Sequence, residues 1–268
     1  MTTPSVSAPL RFRVARVHAW MPEVRSPAEW QSWSRGERTA GTVGEPPLLQ
    51  MAPMLRRHAA RLGRMACEVA YDALGELRDV PILFCSRYGE VQRSVDLLAA
   101  LASTGEVSPT SFGLSVHNAI NGVFSMARQE TTNTLAISAG DESCAYGIVE
   151  ACSLLNDGAA RVLVVMADCP LPSVYASFAD VEPLALAWAC LIELAGSGAL
   201  SPMTISLEWR DEPVDESPLH ALSRDSKAAT ARDTPESGAL SALRVLLGFD
   251  SEWTHRAGVR VWRWQRHA

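Results

Sequence analysis

The chain has 268 residues, 47% hydrophobic and 20% charged, which is ample for a globular domain with a substantial core. Its net charge of −6 argues against sequence-independent nucleic-acid binding, which needs a basic stripe. No run reaches the roughly 18 apolar residues of a membrane span, and the opening MTTPSVSAPL lacks a cationic-then-apolar leader.

Six cysteines without a CxxC pair read as buried hydrophobes in a reducing compartment, so a cytoplasmic location is expected. Lys227 is the single lysine among 24 basic residues, a bias that reflects a GC-rich genome more than physics.

Along the chain, residues 11–20 alternate basic and apolar groups and predict a strand with one wet face. Residues 21–50, rich in Pro, Gly, Ser and Trp, predict a connection. From 55 to 77 the apolar groups recur at helical spacing, with Leu62, Met65, Ala66, Val69 and Leu74 on one face and Gly75 as the stop. A buried strand is predicted over 80–85 and a helix over 90–101, followed by a break at 103–109.

Residues 134–138 then read as a strand, Gly140-Asp141-Glu142 opens a helix that runs to Asn156-Asp157-Gly158, and 161–166 is a second buried strand. This alternation predicts an α/β fold whose sheet is mixed and mostly parallel, with helices on both faces. Further strands are expected over 184–194 and 203–209, joined by Gly196-Ser197-Gly198. Then come a polar loop over 211–238, a helix over 239–247 and a closing strand over 259–264, where Trp262 and Trp264 share a face. The whole, 1–268, reads as one domain, with a core over 10–210 and the loop, helix and closing strand over 211–268.

One ordered set of segments carries a resemblance. Ser108-Pro109-Thr110-Ser111-Phe112, Ser115-Val116-His117-Asn118, Ile137-Ser138-Ala139-Gly140-Asp141-Glu142-Ser143 and Leu155-Asn156-Asp157-Gly158, leading into 162–168, resemble the N-terminal half of a β-ketoacyl synthase of the thiolase-like superfamily. With weaker matches at Arg56-Arg57 and Ser86-Arg87-Tyr88-Gly89, the resemblance spans residues 50–210. It implies a thiolase-like fold and a nucleophilic cysteine at the head of the helix that begins near 141, where free N–H groups stabilise a thiolate.

Here that position is Asp141, which cannot hold an acyl chain as a thioester. Cys144 lies one turn inside the helix and is expected to be a packing residue. The family's condensing enzymes also need two histidines from a second half, one preceding a Gly-Thr pair, and none of the six histidines is followed by glycine.

The resemblance therefore implies a non-catalytic, chain-length-factor-like subunit of the kind found in bacterial aryl polyene and related polyketide or fatty-acid-type clusters. Such a subunit forms a heterodimer with an active ketosynthase and helps shape its acyl tunnel, without a metal or cofactor. By that similarity Tyr88, Val91, Ser94, Val95 and Leu98 line the tunnel, although spacing alone favours ordinary core contacts for Val91, Ser94, Val95 and Leu98. Thr110, Ser111, Phe112, Val116, His117 and Asn118 fall at the partner interface, with His117 also readable as a structural histidine.

Arg56, Arg57, Arg61 and Arg64 could attract an acidic acyl carrier protein or be solvated helix charges. Asp141 has two further readings. It is a helix N-cap, or it is the general base of a stand-alone acyl-thioester decarboxylase or hydrolase, with His117 or Glu142 assisting. The helix over 142–155 is apolar on nearly every side and must be covered on nearly every side. Each leucine-sized group left in water forgoes about 1.5–3 kcal/mol, so residues 211–268 and a partner subunit are expected to share that task.

Overall fold

Strand β1 (Leu10–Trp20) buries Phe12, Val14 and Trp20 and turns arginines outward, and it lies inside the sheet because β5 (Leu186–Leu194) and β6 (Thr204–Asp211) pair with its two edges. The computed structural model describes residues 8–181, 184–196, 203–212 and 236–267. The expected turn at 196–198 and loop at 211–238 lie largely outside these.

With β2 (Ile82–Cys85), β3 (Thr134–Ile137), β4 (Val162–Asp168), β7 (Glu252–Ala257) and β8 (Arg260–Arg266), the strand order is β3-β2-β4-β5-β1-β6-β8-β7. The mixed α/β sheet is as expected, but its parallel share is smaller: β2 pairs in parallel with β3 and β4, and the remaining pairs are antiparallel. Parallel neighbours need a long crossover, usually a helix. Between β4 and β5 the described chain carries only a 3-10 turn (Ser173–Phe178), and β7 returns to β8 through the left-handed Gly258.

Two helical layers sandwich β4 and β5. The helices are α1 (Pro27–Ser34), α2 (Pro53–Arg56), α3 (Arg61–Leu74), α4 (Val91–Thr104), α5 (Pro109–Gly113), α6 (Ala119–Arg128), α7 (Ser143–Asn156) and α8 (Gly238–Leu247). Alternate residues of β4 face opposite layers: Leu163, Val165 and Ala167 join α3 and α6, whereas Val162, Val164 and Met166 join α7 and α8. This double burial is why β4 reads as an unbroken apolar run.

The helical face expected over 55–77 is buried as predicted, although the segment is two helices, α2 and α3. Arg16 of β1 donates to the Ala73 and Leu74 carbonyls and closes the C-terminal end of α3.

The apolar helix α7 is covered largely from within. One side lies on the sheet so closely that a Cβ at Gly147 would stand 2.5 Å from Cys85 Sγ. On the other side, α8 and β8 of the C-terminal region pack on it: Trp262 meets Tyr146 edge-on at 5.3 Å, and the Trp188 indole ties the sheet to Ala239 of α8 at 2.9 Å. Tyr146, Val149 and Leu154 remain half-buried.

Helix α4 behaves differently. None of its residues is buried, and Leu98 is 59% exposed. The ordinary-core reading of Val91, Val95 and Leu98 is therefore not what the fold provides.

Candidate functional site

Strand β2 ends at Cys85 and the chain turns sharply through Ser86-Arg87-Tyr88-Gly89. Ser86 is buried; its hydroxyl donates to Asp168 Oδ1 at 2.9 Å and accepts the Gly89 N–H at 2.9 Å. The Arg87 N–H also donates to Asp168 Oδ1, at 2.8 Å, and its carbonyl accepts Ser138 Oγ. Gly89 is left-handed (φ 58°), and a Cβ there would stand 2.6 Å from His117 Nδ1, so glycine is required on both counts.

The turn is thereby fixed, and it aims the Arg87 guanidinium at two carboxylates. Arg87 forms a two-toothed pair with Asp180, at 2.8 and 2.6 Å, and a second ion pair with Asp141. The ring of Tyr88 lies 4.9 Å beneath it.

Asp168 terminates β4 with its carboxyl group turned into the protein. Burial pushes its pKa up to about 6, against the pull of Ser86 and of the Arg87 and Tyr88 N–H groups. Three acids are thus gathered around one arginine where α7 begins. Among the described residues no cluster of His, Cys, Asp or Glu could hold a metal ion.

Asp141 sits at the head of the buried helix, in a single 3-10 turn (Gly140–Glu142) that leads into α7. The expectation that it caps the helix is corrected: the residue in the N-cap position is Glu142, and no side-chain cap bond is made. The N-terminal turn is closed instead by Ser143, whose Oγ accepts from Ala139 N and donates to Gly140 O. Arg87 draws Asp141 away from the helix end, and Glu142 accepts the Trp262 indole N–H at 2.6 Å.

Cys144 is buried, its Sγ lies 3.8 Å from the Gly238 carbonyl, and burial pushes its thiol up to about 12. It is neither ionised nor at the mouth of the site. The cleft beside Asp141 has a volume of about 60 Å³ and lies between Arg87 and apolar groups such as Met166, Leu171 and Leu186.

The two segments singled out in the sequence meet next to this cleft. Tyr88 lines the cleft, whereas Val91, Ser94 and Val95 are half-buried and Leu98 is exposed on α4, which packs on α5. Thr110, Phe112, Val116 and Asn118 are exposed, Phe112 at 62%, and Ser111 is half-buried. His117 is half-buried between Gly89 and Phe84, and its Nε2 donates to the Ile137 carbonyl at 3.1 Å. That is the arrangement of a structural histidine.

Of the arginines considered for a carrier protein, Arg56, Arg61 and Arg64 donate to backbone carbonyls of the segment 42–59. They staple that loop to the fold. The roles of Arg87, Asp168 and Asp180 are invisible in the sequence, because Arg87 and Asp180 lie 93 positions apart. The only hint is that Arg87 and Asp168 fall in the segments that carry the resemblance.

The family model described as the N-terminal domain of β-ketoacyl synthase matches residues 30–265. No curated protein is detectably similar in sequence.

Among solved structures, the chain is similar to one in the complex of a ketosynthase (ApeO) with its chain length factor (ApeC) from Xenorhabdus doucetiae. The TM-score is 0.72 at 22% identity, over 96% of this chain and 100% of that one. It is also similar to the ishigamide ketosynthase/chain length factor, with a TM-score of 0.61 at 17% identity over 78% of this chain and 69% of that one. A β-ketoacyl synthase from Burkholderia phymatum STM815 gives 0.56 at 11% identity over 69% and 59%.

The mixed sheet and its helical layers are those of the thiolase-like ketosynthase fold. No helix among the described residues is long and apolar enough to cross a membrane. The chain belongs to the β-ketoacyl synthase N-terminal domain family.

Proposed function

We propose that this protein is a non-catalytic, chain-length-factor-like subunit that pairs with an active ketosynthase and helps shape its acyl tunnel in aryl polyene or related polyketide or fatty-acid-type biosynthesis. The observation that carries this reading is the state of the α7 head. Asp141, an acid tied to Arg87, stands there, and Cys144, the next cysteine along the helix, is buried with its thiol pushed up to about 12. A carboxylate in an ion pair cannot take up an acyl chain as a thioester.

The partner reading draws on α4 and α5, whose apolar groups are left in water by this chain, and on solved relatives that are ketosynthases in complex with chain length factors. In the proposed pair, Tyr88, Val91, Ser94, Val95 and Leu98 border the partner's tunnel. Thr110 to Asn118 meet the partner's surface. The companion subunit supplies the nucleophile and histidines.

The test is co-expression with a candidate ketosynthase from the same gene neighbourhood. Co-purification in equal amounts, acyl loading of the partner alone by intact mass, and altered product length on Val95→Phe are expected. A covalent acyl adduct on this chain would overturn the reading, and thioester turnover by the isolated chain that is lost in Asp141→Asn would establish the rival hydrolase or decarboxylase instead.

A further inference from the structure

Between β4 and β5 the chain crosses the mouth of the α7 cleft as a strap over 170–181. Residues 173–179 are all exposed, Phe178 at 72%, and the backbone hydrogen bonds within it are local: Tyr175 N–H to Pro172 O and Ala179 N–H to Ala176 O. It has no helix or strand of its own beyond one 3-10 turn and pairs with no strand of the sheet. Segments with so few buried contacts and no ladder bonds are the ones that open locally.

Against this stands one strong tie. Asp180, near the end of the strap, is held by both terminal nitrogens of Arg87 at 2.8 and 2.6 Å. Two-toothed arginine–carboxylate pairs are the directional, strong members of their class. Arg87 itself cannot follow the strap outward. Its backbone is fixed by Asp168 and Ser138, and its side chain is also held by Asp141 at the head of α7. The strap's own Leu171 and Val181 join Cys169 in lining the cleft.

We propose that the strap is a latched lid, with Asp180 as the bolt and the immobilised Arg87 guanidinium as the keeper, and that it controls access to the cleft at the head of α7. Nothing in this depends on whether the protein partners a ketosynthase. The arginine is prepared in advance by its other partners, and opening the lid requires the loss of the two-toothed Arg87–Asp180 pair.

Cys169 reports the lid's position, because it lines the cleft and burial holds its thiol up at about 12. Opening should return the thiol toward an ordinary value of about 8.5. The experiment compares iodoacetamide labelling at pH 8 of the full chain and its Asp180→Asn and Tyr175→Ser variants, resolved by peptide mass. The expected result is labelling of Cys169 at least tenfold faster in Asp180→Asn, unchanged labelling of Cys67, Cys85 and Cys144, and no acceleration in Tyr175→Ser.

Equal Cys169 rates in Asp180→Asn and the native chain would overturn the latch. So would faster labelling of all cysteines together, which marks general loosening. Equal acceleration by Tyr175→Ser would overturn it too, since the strap would then be held by its outer residues.

Discussion

Trp262 of β8 donates its indole N–H to the carboxylate of Glu142 at 2.6 Å, across 120 positions of sequence, and so fastens the C-terminal hairpin to the turn that leads into α7. Hydrogen bonds to a charged group contribute about 1.5–3 kcal/mol. Trp262→Phe keeps most of the contact with Tyr146 and Trp209 but loses that bond. It is expected to lower unfolding free energy by about 2–3 kcal/mol, read as a shift in urea midpoint at constant slope.

Asp168 gives the stability a pH dependence of definite sign. Its folded pKa, about 6, exceeds the unfolded value of about 3.9, so the native state binds the proton more tightly. The group's favourable contribution is full below the unfolded pKa, declines as pH rises to about 6, and is constant above. Asp168→Asn retains an oxygen acceptor for Ser86 and Arg87 without the charge. Relative to the native chain it should gain on the order of 2–3 kcal/mol between pH 4 and pH 7.5. Urea unfolding at both pH values decides, and a pH-independent difference would count against it.

The cysteines should be inert in the native protein. Burial raises the thiols of Cys144, Cys152 and Cys169 to about 12 and those of Cys67, Cys85 and Cys190 further. Iodoacetamide at pH 8 is expected to label the native chain slowly and the denatured chain at six sites. Rapid stoichiometric labelling of Cys144 would contradict its placement.

Gly147 sets the distance between α7 and the sheet. Gly147→Ala places a methyl group where Cys85 Sγ and Val164 already are, at 2.5 and 3.5 Å. Overpacking of this kind costs about 1–3 kcal/mol, more than the helix propensity gained, so the melting temperature should fall. A double change, Gly147→Ala with Cys85→Gly, should recover part of the loss.

On the proposed heterodimer, Phe112→Asp tests the α5 surface. Phe112 is exposed, so the isolated variant should fold with unchanged stability, and its recovery with the ketosynthase should drop at least tenfold. Undiminished recovery would move the contact elsewhere.

Legibility followed the range of the interactions involved. The face of α3, the runs of β2 and β4 and the helix α7 are local patterns of apolar residues, and Leu62, Met65, Ala66, Val69 and Leu74 are all buried where the period placed them. Helix α1 falls in the segment expected to be a connection, yet Ser26 and Glu29 form a full capping box there. The signal was present and was outweighed by the surrounding Pro, Gly and Trp.

Helix α6 buries Ile120, Val123 and Phe124 at helical spacing, but Asn118 at its N-cap makes no side-chain cap bond. Strand β7 alternates half-buried and exposed residues and lacks an apolar run. The Asp141 acid was legible, but its partner was not, since a capping acid and an acid taken by a distant arginine look alike in sequence. The choice was made by Ser86, Asp168 and Ser138, which hold Arg87 in place.

The position of β1 in the sheet bears on how the molecule is made. It precedes every other described strand in the chain, yet its neighbours are β5 and β6, and Arg13 pairs across to Glu193. The centre of the sheet therefore cannot close until the roughly two hundred residues from β1 to β6 have been synthesised, about ten to forty seconds at about 5–20 residues per second. For that interval Phe12, Val14 and Trp20 wait without their ladder, so a chain stopped between β4 and β5 leaves this apolar face uncovered.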